Sequence, residues 1–336
     1  MATANIKEVA RHAGVSVGTV SNVLNRPDSV SPTTRERVMT AIQELGFVRN
    51  EAARHLRAGR SRTVGLIVLD VANPFFTDVA SGVEELADEH GAMVVLCNSG
   101  EDAEREARHL DQLEEQRVLG VLITPVRTEA ADMERLVGRG IPVVLVDRDA
   151  GLHQCSVAVD DVLGGRLAGS HLAEQGHERI AFVGGPFSIK QVADRHAGLV
   201  AATSNGAGIT VINGSSLSVA EGRRAGETVA ALSASERPTA VFCANDLLAL
   251  GFLQEMTRQG IRVPDDVAII GYDDIGFAAA AAVPLSSVRQ PREQLGRAAI
   301  ELLLDEVERQ QDHTHRQVVF QPDLVIRESS RATHNT

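Results

Sequence analysis

The chain has 336 residues, 43% of them hydrophobic and 23% charged, with a net charge of −12. At about 100–200 residues per domain, this is an ordinary globular protein of two or three domains. No apolar run reaches the ~18 residues of a membrane span, and the stretch Met1 to Glu8 has no signal-peptide core, so the expected location is the cytoplasm. Three widely spaced cysteines, Cys97, Cys155 and Cys243, form no CxxC pair; they argue against a disulfide framework or a zinc ribbon and read as small buried hydrophobes.

The first 62 residues carry ten Lys/Arg against five Asp/Glu, so the acidic excess lies in the rest of the chain. A small basic head on a large acidic body points to a head that meets an anionic partner. The head reads as three short helices. The first spans about Ile6 to His12. A turn at Ala13-Gly14-Val15 follows, and Ser16 caps a second helix that runs to Leu24. Asn25-Arg26-Pro27-Asp28 breaks that helix, and Ser31-Pro32 starts a third that Gly46 stops. A helix, a three-residue turn containing Gly and a second capped helix have helix-turn-helix spacing. Such a second helix presents its N-terminal side chains to the major groove, here Val17, Gly18 and, one turn on, Asn22. Ser16, Thr19 and Ser21 are placed to grip phosphates. An unspecialised three-helix bundle is the competing reading.

Residues 49–62 are basic and helix-prone with one large aliphatic side chain, Leu56, and end in the linker Gly59-Arg60-Ser61-Arg62. So short a helix is marginal alone in water.

From Thr63 the pattern changes. Apolar runs at Val64–Leu69, Met93–Cys97, Val118–Ile123, Val143–Val146, Ile180–Val183, Ile209–Ile212, Ala240–Cys243 and Val267–Ile270 alternate with amphipathic stretches such as Phe75–Glu89, Ala103–Gln116 and Leu247–Gln259. This predicts an α/β fold with parallel sheet. Periodicity leaves open one sheet, a closed barrel, or two sheets with a crossing at Asp160–Gly165. The tail after Glu328 is polar and reads as disordered.

Ile6-Lys7-Glu8-Val9-Ala10, Ala13-Gly14-Val15-Ser16 and Thr19-Val20-Ser21 resemble the start of the LacI/GalR family of bacterial repressors. The resemblance continues through Ala52-Ala53-Arg54-His55-Leu56, Asn73-Pro74-Phe75-Phe76, Ala244-Asn245-Asp246, Gly271-Tyr272-Asp273-Asp274 and Arg289-Gln290-Pro291 to Ile326-Arg327-Glu328-Ser329-Ser330. It implies a helix-turn-helix domain at 1–48, a hinge helix and linker at 49–62, and an effector-binding core at 63–330. The core resembles a periplasmic binding protein with two doubly wound parallel-sheet subdomains, about 63–160 with 290–318 and 161–289 with 319–330. Residues 331–336 would be a disordered tail.

The resemblance further implies a homodimer on a double-stranded, pseudo-palindromic operator. Val17, Gly18 and Asn22 would read bases, and Leu56, flanked by Ala53 and Arg57, would wedge into the minor groove. Val and Gly make no bidentate hydrogen bond, which leaves direct readout to thymine methyls and Asn22 and more to DNA shape. Asp147, Arg195, Asn245 and Asp273 fall at effector-contacting positions, and their chemistry suits a sugar or glycoside. The alternative for these residues is internal salt bridging, with Arg148 and Asp149 crowding Asp147. Asn73 belongs to the same set. Phe75 would be an aromatic wall of the cleft, with Phe76 as helix-start packing and Thr124 as a further wall candidate. Leu217 stands where relatives often carry an aromatic platform. The alanines at 278–282 stand where relatives often carry bulkier side chains, which implies a roomier pocket.

The sign of the effector stays open between an inducer, which the resemblance favours, and a corepressor such as a purine or sugar phosphate. No P-loop, GxGxxG or HExxH pattern is present, so neither an enzyme, a cofactor nor a metal is expected. His313-Thr314-His315 reads as a solvated pair near a terminus. A sugar-binding transport protein and a ribokinase-like enzyme are the readings from other classes.

Overall fold

The computed structural model describes residues 4–47, 61–126, 131–148, 154–203, 207–309 and 312–331. The chain divides into two compact units, Met1–Ser61 and Arg62–Thr336. The expected hinge residues Ala53, Leu56 and Arg57, and the end of the tail at 332–336, lie outside the described residues.

In the first unit, helices α1 (Ile6–His12), α2 (Val17–Asn25) and α3 (Pro32–Leu45) pack around Val9, Val20, Val23, Val38 and Ala41. Local chemistry sets each helix end. Asn5 and Glu8 form a capping box at α1, Ser16 Oγ accepts the Thr19 N–H at 3.0 Å, and Gly46 closes α3 in the left-handed conformation (φ 57°). The turn between α1 and α2 has Gly14 at φ 63°, and Arg37 from α3 donates to the Ala13 carbonyl at 2.5 Å. This arginine therefore supports the turn from inside the head.

The second unit contains two six-stranded sheets with α-helices between their strands. The first has β1 (Thr63–Val68), β2 (Met93–Asn98), β3 (Gly120–Ile123), β4 (Val143–Val146), β5 (Cys155–Val159) and β11 (Gln317–Phe320), in the order β11-β5-β4-β3-β1-β2, all parallel. The second has β6 (Arg179–Gly184), β7 (Gly208–Asn213), β8 (Ala240–Cys243), β9 (Ala268–Asp273), β10 (Ser286–Arg289) and β12 (Asp323–Val325), in the order β12-β10-β9-β8-β6-β7, parallel except for β12. The chain crosses after Val159, capped by Asp160, returns after Arg289, and crosses again after Phe320. The expected boundary at 318 is thus two residues early, because Val319 and Phe320 continue the pairing with β5.

The α-helices described in this unit are α4 (Pro74–Glu89), α5 (Ala103–Glu115), α6 (Ala131–Gly138), α7 (Asp161–Glu174), α8 (Lys190–Thr203), α9 (Val219–Ala230), α10 (Asp246–Arg258), α11 (Gly276–Ala279) and α12 (Arg292–Arg309), of which α4, α7, α8, α10 and α12 matter for the site. The crossing of α7 and α8 needs glycine: a Cβ on Gly165 would collide with the Arg195 carbonyl, and one on Gly198 with that of Val162. This close approach helps seat Arg195 beside Asp161.

Four of the strands, β5, β10, β11 and β12, were not legible as apolar runs. In β10 the buried Ser286 and Ser287 look like loop residues in sequence, yet each is hydrogen bonded: Ser286 N–H donates to Ser329 Oγ at 2.8 Å and Ser287 Oγ to Asp246 at 2.7 Å. The same bonds correct the expectation of a disordered tail after Glu328. Ser329 and Ser330 are buried, Ser329 Oγ donates to the Ile269 carbonyl at 2.6 Å, and Ser330 meets His171.

Candidate functional sites

In the head, Val17, Gly18 and Asn22 are exposed along α2. Ser16, Thr19 and Ser21 are not idle. The Ser16 and Thr19 hydroxyls bond each other at 2.9 Å, and Ser21 accepts from Asn25 at 2.8 and 3.1 Å. Lys7, Arg11, Arg26 and Arg35 are exposed. The exposed face formed by Val17, Gly18 and Asn22 is therefore small and aliphatic, with Asn22 as its amide.

In the core, a cavity of about 300 Å³ lies between the two sheets at the carboxyl ends of their strands, where open α/β sheets bind ligands. Asn73, Phe75, Asp147, Arg195, Leu217, Asn245 and Asp273 all line it. Each is set by a strand or helix end. Asp147 follows β4 with φ 54°, and Asp273 ends β9 with φ 102°. Asn73 caps α4 by accepting from the Phe75 N–H at 3.0 Å, and Asn245 caps α10 by accepting from that of Leu248 at 2.9 Å. The Asn245 amide also donates to the Leu217 carbonyl at 3.0 Å.

Arg195 is the hub. Its Nε donates to buried Asp161 at 2.7 Å, its Nη1 to the Ala244 carbonyl at 2.8 Å, and its guanidinium stacks 3.7 Å from the Tyr272 ring centre. Internal ion pairing and a place in the cavity wall thus hold together for this residue. Asp273 accepts from Gln290 at 2.7 Å and from Asn73 at 3.4 Å. Asp147 accepts from Gln191 Nε2 at 2.9 Å, while the neighbouring Arg148 turns away to the Pro125 carbonyl at 3.0 Å. Burial pushes the Asp147 carboxyl up to about 7, helped by Asp161, and that of Asp273 up to about 6, against the pull of Arg195. Asp161 is raised by burial too, with Arg195 opposing.

Three expectations need correction. Phe76 lines the cavity together with Phe75; the rings meet edge to face at 5.0 Å, so helix-start packing and the wall are one feature. Thr124 is fully buried just beyond β3 and does not line the cavity. The alanine run is no wall either: Ala278 belongs to the core of the second lobe, so it gives no extra room. Sequence reading missed Asp70, Glu101, Gln191 and Gln290. Gln191 lies one turn before Arg195 on α8, a spacing that places both on one helix face; Gln290 sits inside the Arg289-Gln290-Pro291 motif.

Together these features define a two-lobed ligand-binding core joined in sequence to a helix-turn-helix head. Comparison with known proteins gives the class its family. Residues 5–50 match the bacterial regulatory proteins of the lacI family, and residues 170–330 match a periplasmic binding protein-like domain. The HTH-type transcriptional repressor PurR of Vibrio campbellii is 35% identical, covering 96% of this chain and 98% of the relative, and PurR of Vibrio atlanticus is 36% identical over 96% and 98%. The Lac repressor dimer bound to operator and the anti-inducer ONPF superposes with a TM-score of 0.84 at 28% identity, over 98% of this chain and 100% of that one. A complex of the transcriptional regulator CelR with cellobiose has a TM-score of 0.70 at 34% identity, over 97% and 99%. The chain belongs to the LacI family. It is a transcriptional repressor with a DNA-binding head and an effector-binding core, not an enzyme. Among the described residues, no helix is long and apolar enough to cross a membrane.

Proposed function

We propose that this repressor binds a palindromic operator as a homodimer and is released when a neutral sugar, a monosaccharide or a compact disaccharide, occupies the cleft. The observation that carries the ligand class is the chemistry of the cavity wall. It contains four carboxylates, Asp70, Glu101, Asp147 and Asp273, against one guanidinium that Asp161 already engages. With acidic groups around it and its single cation already paired, such a wall offers nothing to neutralise a phosphate. It is also rich in acceptors: Asp147 Oδ1, Gln191 Oε1 and Gln290 Oε1 are buried without a hydrogen bond among the described residues. Donor-rich hydroxyl groups complement such a wall. The volume is at the small end of the ~300–1,000 Å³ typical of ligand pockets, which suits one or two sugar rings. The likeness to a regulator seen with cellobiose supports the same class.

In this reading, Asn73, Phe75, Phe76, Asp147, Arg195, Leu217, Asn245 and Asp273 form the effector site, and Thr124 supports it from behind. Ser16, Val17, Gly18, Thr19, Ser21 and Asn22 meet the operator, with Ala53, Leu56 and Arg57 at its centre. Dimer formation is supported by edge strand β2, where Met93 and Leu96 remain 62% and 43% exposed.

The test has two parts. Genomic DNA fragments are selected with the purified protein, and release of the enriched palindrome is then measured against neutral sugars, purines and sugar phosphates. Release by a neutral sugar at concentrations where purines and sugar phosphates do nothing supports the proposal. Binding strengthened by a purine or a sugar phosphate would overturn the inducer reading in favour of a corepressor.

A further inference from the structure

Away from the cleft, at the outer edge of the first sheet, Cys155 at the start of β5, Glu306 on α12, and His313 and His315 in the segment leading into β11 converge. One ligand atom from each lies within 4.8 Å of all the others. His313 Nε2 is 3.1 Å from Cys155 Sγ and 3.7 Å from Glu306 Oε2. His315 Nδ1 is 3.9 Å from the sulfur and 4.0 Å from the same carboxylate oxygen.

We propose that these four side chains form a structural zinc site of the Cys-His₂-Glu type. Bonds of about 2.0–2.3 Å in a tetrahedron put neighbouring ligand atoms roughly 3.3–3.7 Å apart, so the observed separations need only small side-chain adjustments. One thiolate, two imidazoles and one carboxylate are a borderline-soft set, wrong for magnesium or calcium and right for zinc. Four protein ligands leave no open position, which makes the site structural rather than catalytic.

The surroundings are those of a built site. The His313 side chain is 2% exposed, and its other nitrogen, Nδ1, lies 3.1 Å from Asp305 Oδ2; this is the carboxylate–histidine pair that fixes a ligating ring and leaves Nε2 for the metal. Asp305 is itself held by Arg309 at 2.8 Å and Arg316 at 3.2 Å. The Arg316 N–H donates to Cys155 Sγ at 3.4 Å, a bond that stabilises a metal thiolate. Glu306 Oε2 is buried with no hydrogen bond among the described residues, so the metal supplies the partner it lacks. On binding, the thiol proton leaves to solvent and the sulfur–metal bond takes its place. The expectation of a solvated histidine pair fails, since the fold brings His313 onto Cys155 about 160 positions away; Cys155 itself is buried as its sequence reading holds.

The full-length protein, stripped with a chelator, is titrated with Co²⁺ and then Zn²⁺. The expected result is a single equivalent of cobalt with a thiolate-to-cobalt charge-transfer band and tetrahedral visible bands, both abolished by zinc. Cys155→Ser removes the charge-transfer band and Cys97→Ser keeps it. Asp305→Asn weakens binding by roughly 10–100-fold, as loss of a supporting partner does. If Cys155→Ser fails to fold, His315→Gln replaces it, since that side chain is 34% exposed and its loss leaves the core intact; its expected signature is weaker binding with altered visible bands. No thiolate band in the wild type, a band that persists in Cys155→Ser, or a His315→Gln titration identical to wild type would overturn the proposal.

Discussion

The two recognition regions of this chain are built in opposite ways. On the head, Val17, Gly18 and Asn22 are exposed and small, and the polar groups beside them are occupied with holding the helix itself. In the cleft, Arg195, Asn245 and Asp273 are almost wholly buried and already bonded to their neighbours before any ligand arrives. The head gains its specificity when a partner supplies the other half of each contact. The cleft is organised in advance, so its ligand works by changing the balance of an existing network. A ligand shifts an equilibrium only as far as its affinity differs between the two states, and a cleft whose lobes share Asn73, Asp273 and Gln290 has such a difference to offer.

The largest effect should come from breaking the organised region. Arg195→Ala leaves Asp161 buried beside an empty space, and loss of one partner of a buried pair costs about 3–5 kcal/mol. Chemical denaturation should show that loss in the core, together with failed induction. A stable, inducible Arg195→Ala protein would mean that the network is not a unit.

The same region should make stability depend on pH, with a defined sign. Asp147 holds its proton up to about pH 7 when folded, against an ordinary value of 3.8. The folded state therefore binds more protons than the unfolded one between those limits. Stability is highest below pH 4 for this group and falls as pH rises toward 7, by up to about 1.4 kcal/mol per pH unit. Asp273 adds a slope of the same sign over a narrower window that ends near 6, and so a smaller total. Asp147→Asn should flatten the curve in that window, as read by denaturation at several pH values; an unchanged slope would place the titration elsewhere.

On the DNA side the expected losses are smaller and confined to the operator. Leu56→Ala should weaken specific binding by about 1–3 kcal/mol, on the scale of the unstacking such a wedge performs, with effector affinity unchanged. Equal operator affinity would remove the wedge. Asn22→Ala should relax base preference at one position per half-site at a similar cost, about 1–3 kcal/mol, measured by selection from a randomised operator.

How much of this was visible in the sequence follows the locality of each signal. Ser16, Gly14 and Gly46 act on their own helix ends, so the head was legible almost residue by residue. The central strands, buried on both faces, showed as apolar runs. The inner strands β5 and β10 and the edge strands β11 and β12 did not: β10 is built on serines whose partners, Ser329 and Asp246, lie about 40 residues away. In the cleft, residues that follow a strand or cap a helix, such as Asp147 and Asn245, were marked by position. Thr124 had the same marker and proved to be core, because the end of a strand does not determine which way the next side chain faces. Gln191 carries no charge or motif that distinguishes it from a surface glutamine, and the motif around Gln290 does not say where its amide points; only the fold shows them on the two aspartates. The metal-type cluster joins Cys155 to histidines about 160 positions away, and spacing within His313-Thr314-His315 could not disclose it.

The smallest effect is also the cleanest probe of the contrast between the two regions. Gly18 sits in the first turn of α2 without a strained backbone, and a Cβ there would meet only Ser16 Oγ, at an ordinary 3.6 Å. Gly18→Ala should therefore leave the head as stable as before or raise its stability by up to about 1 kcal/mol, the usual helix preference for alanine. If α2 lies in the major groove with this face against the bases, the added methyl has nowhere to go in a close contact. Operator affinity should then fall by roughly 1 kcal/mol, the low end for one mismatched base pair. Thermal melting and operator titration of the same preparation separate the two terms. A more stable head with weaker binding places Gly18 at the DNA surface. A stabilised head with unchanged affinity would show that this turn of α2 stands clear of the bases, and would shift the burden of readout onto Asn22 and the hinge.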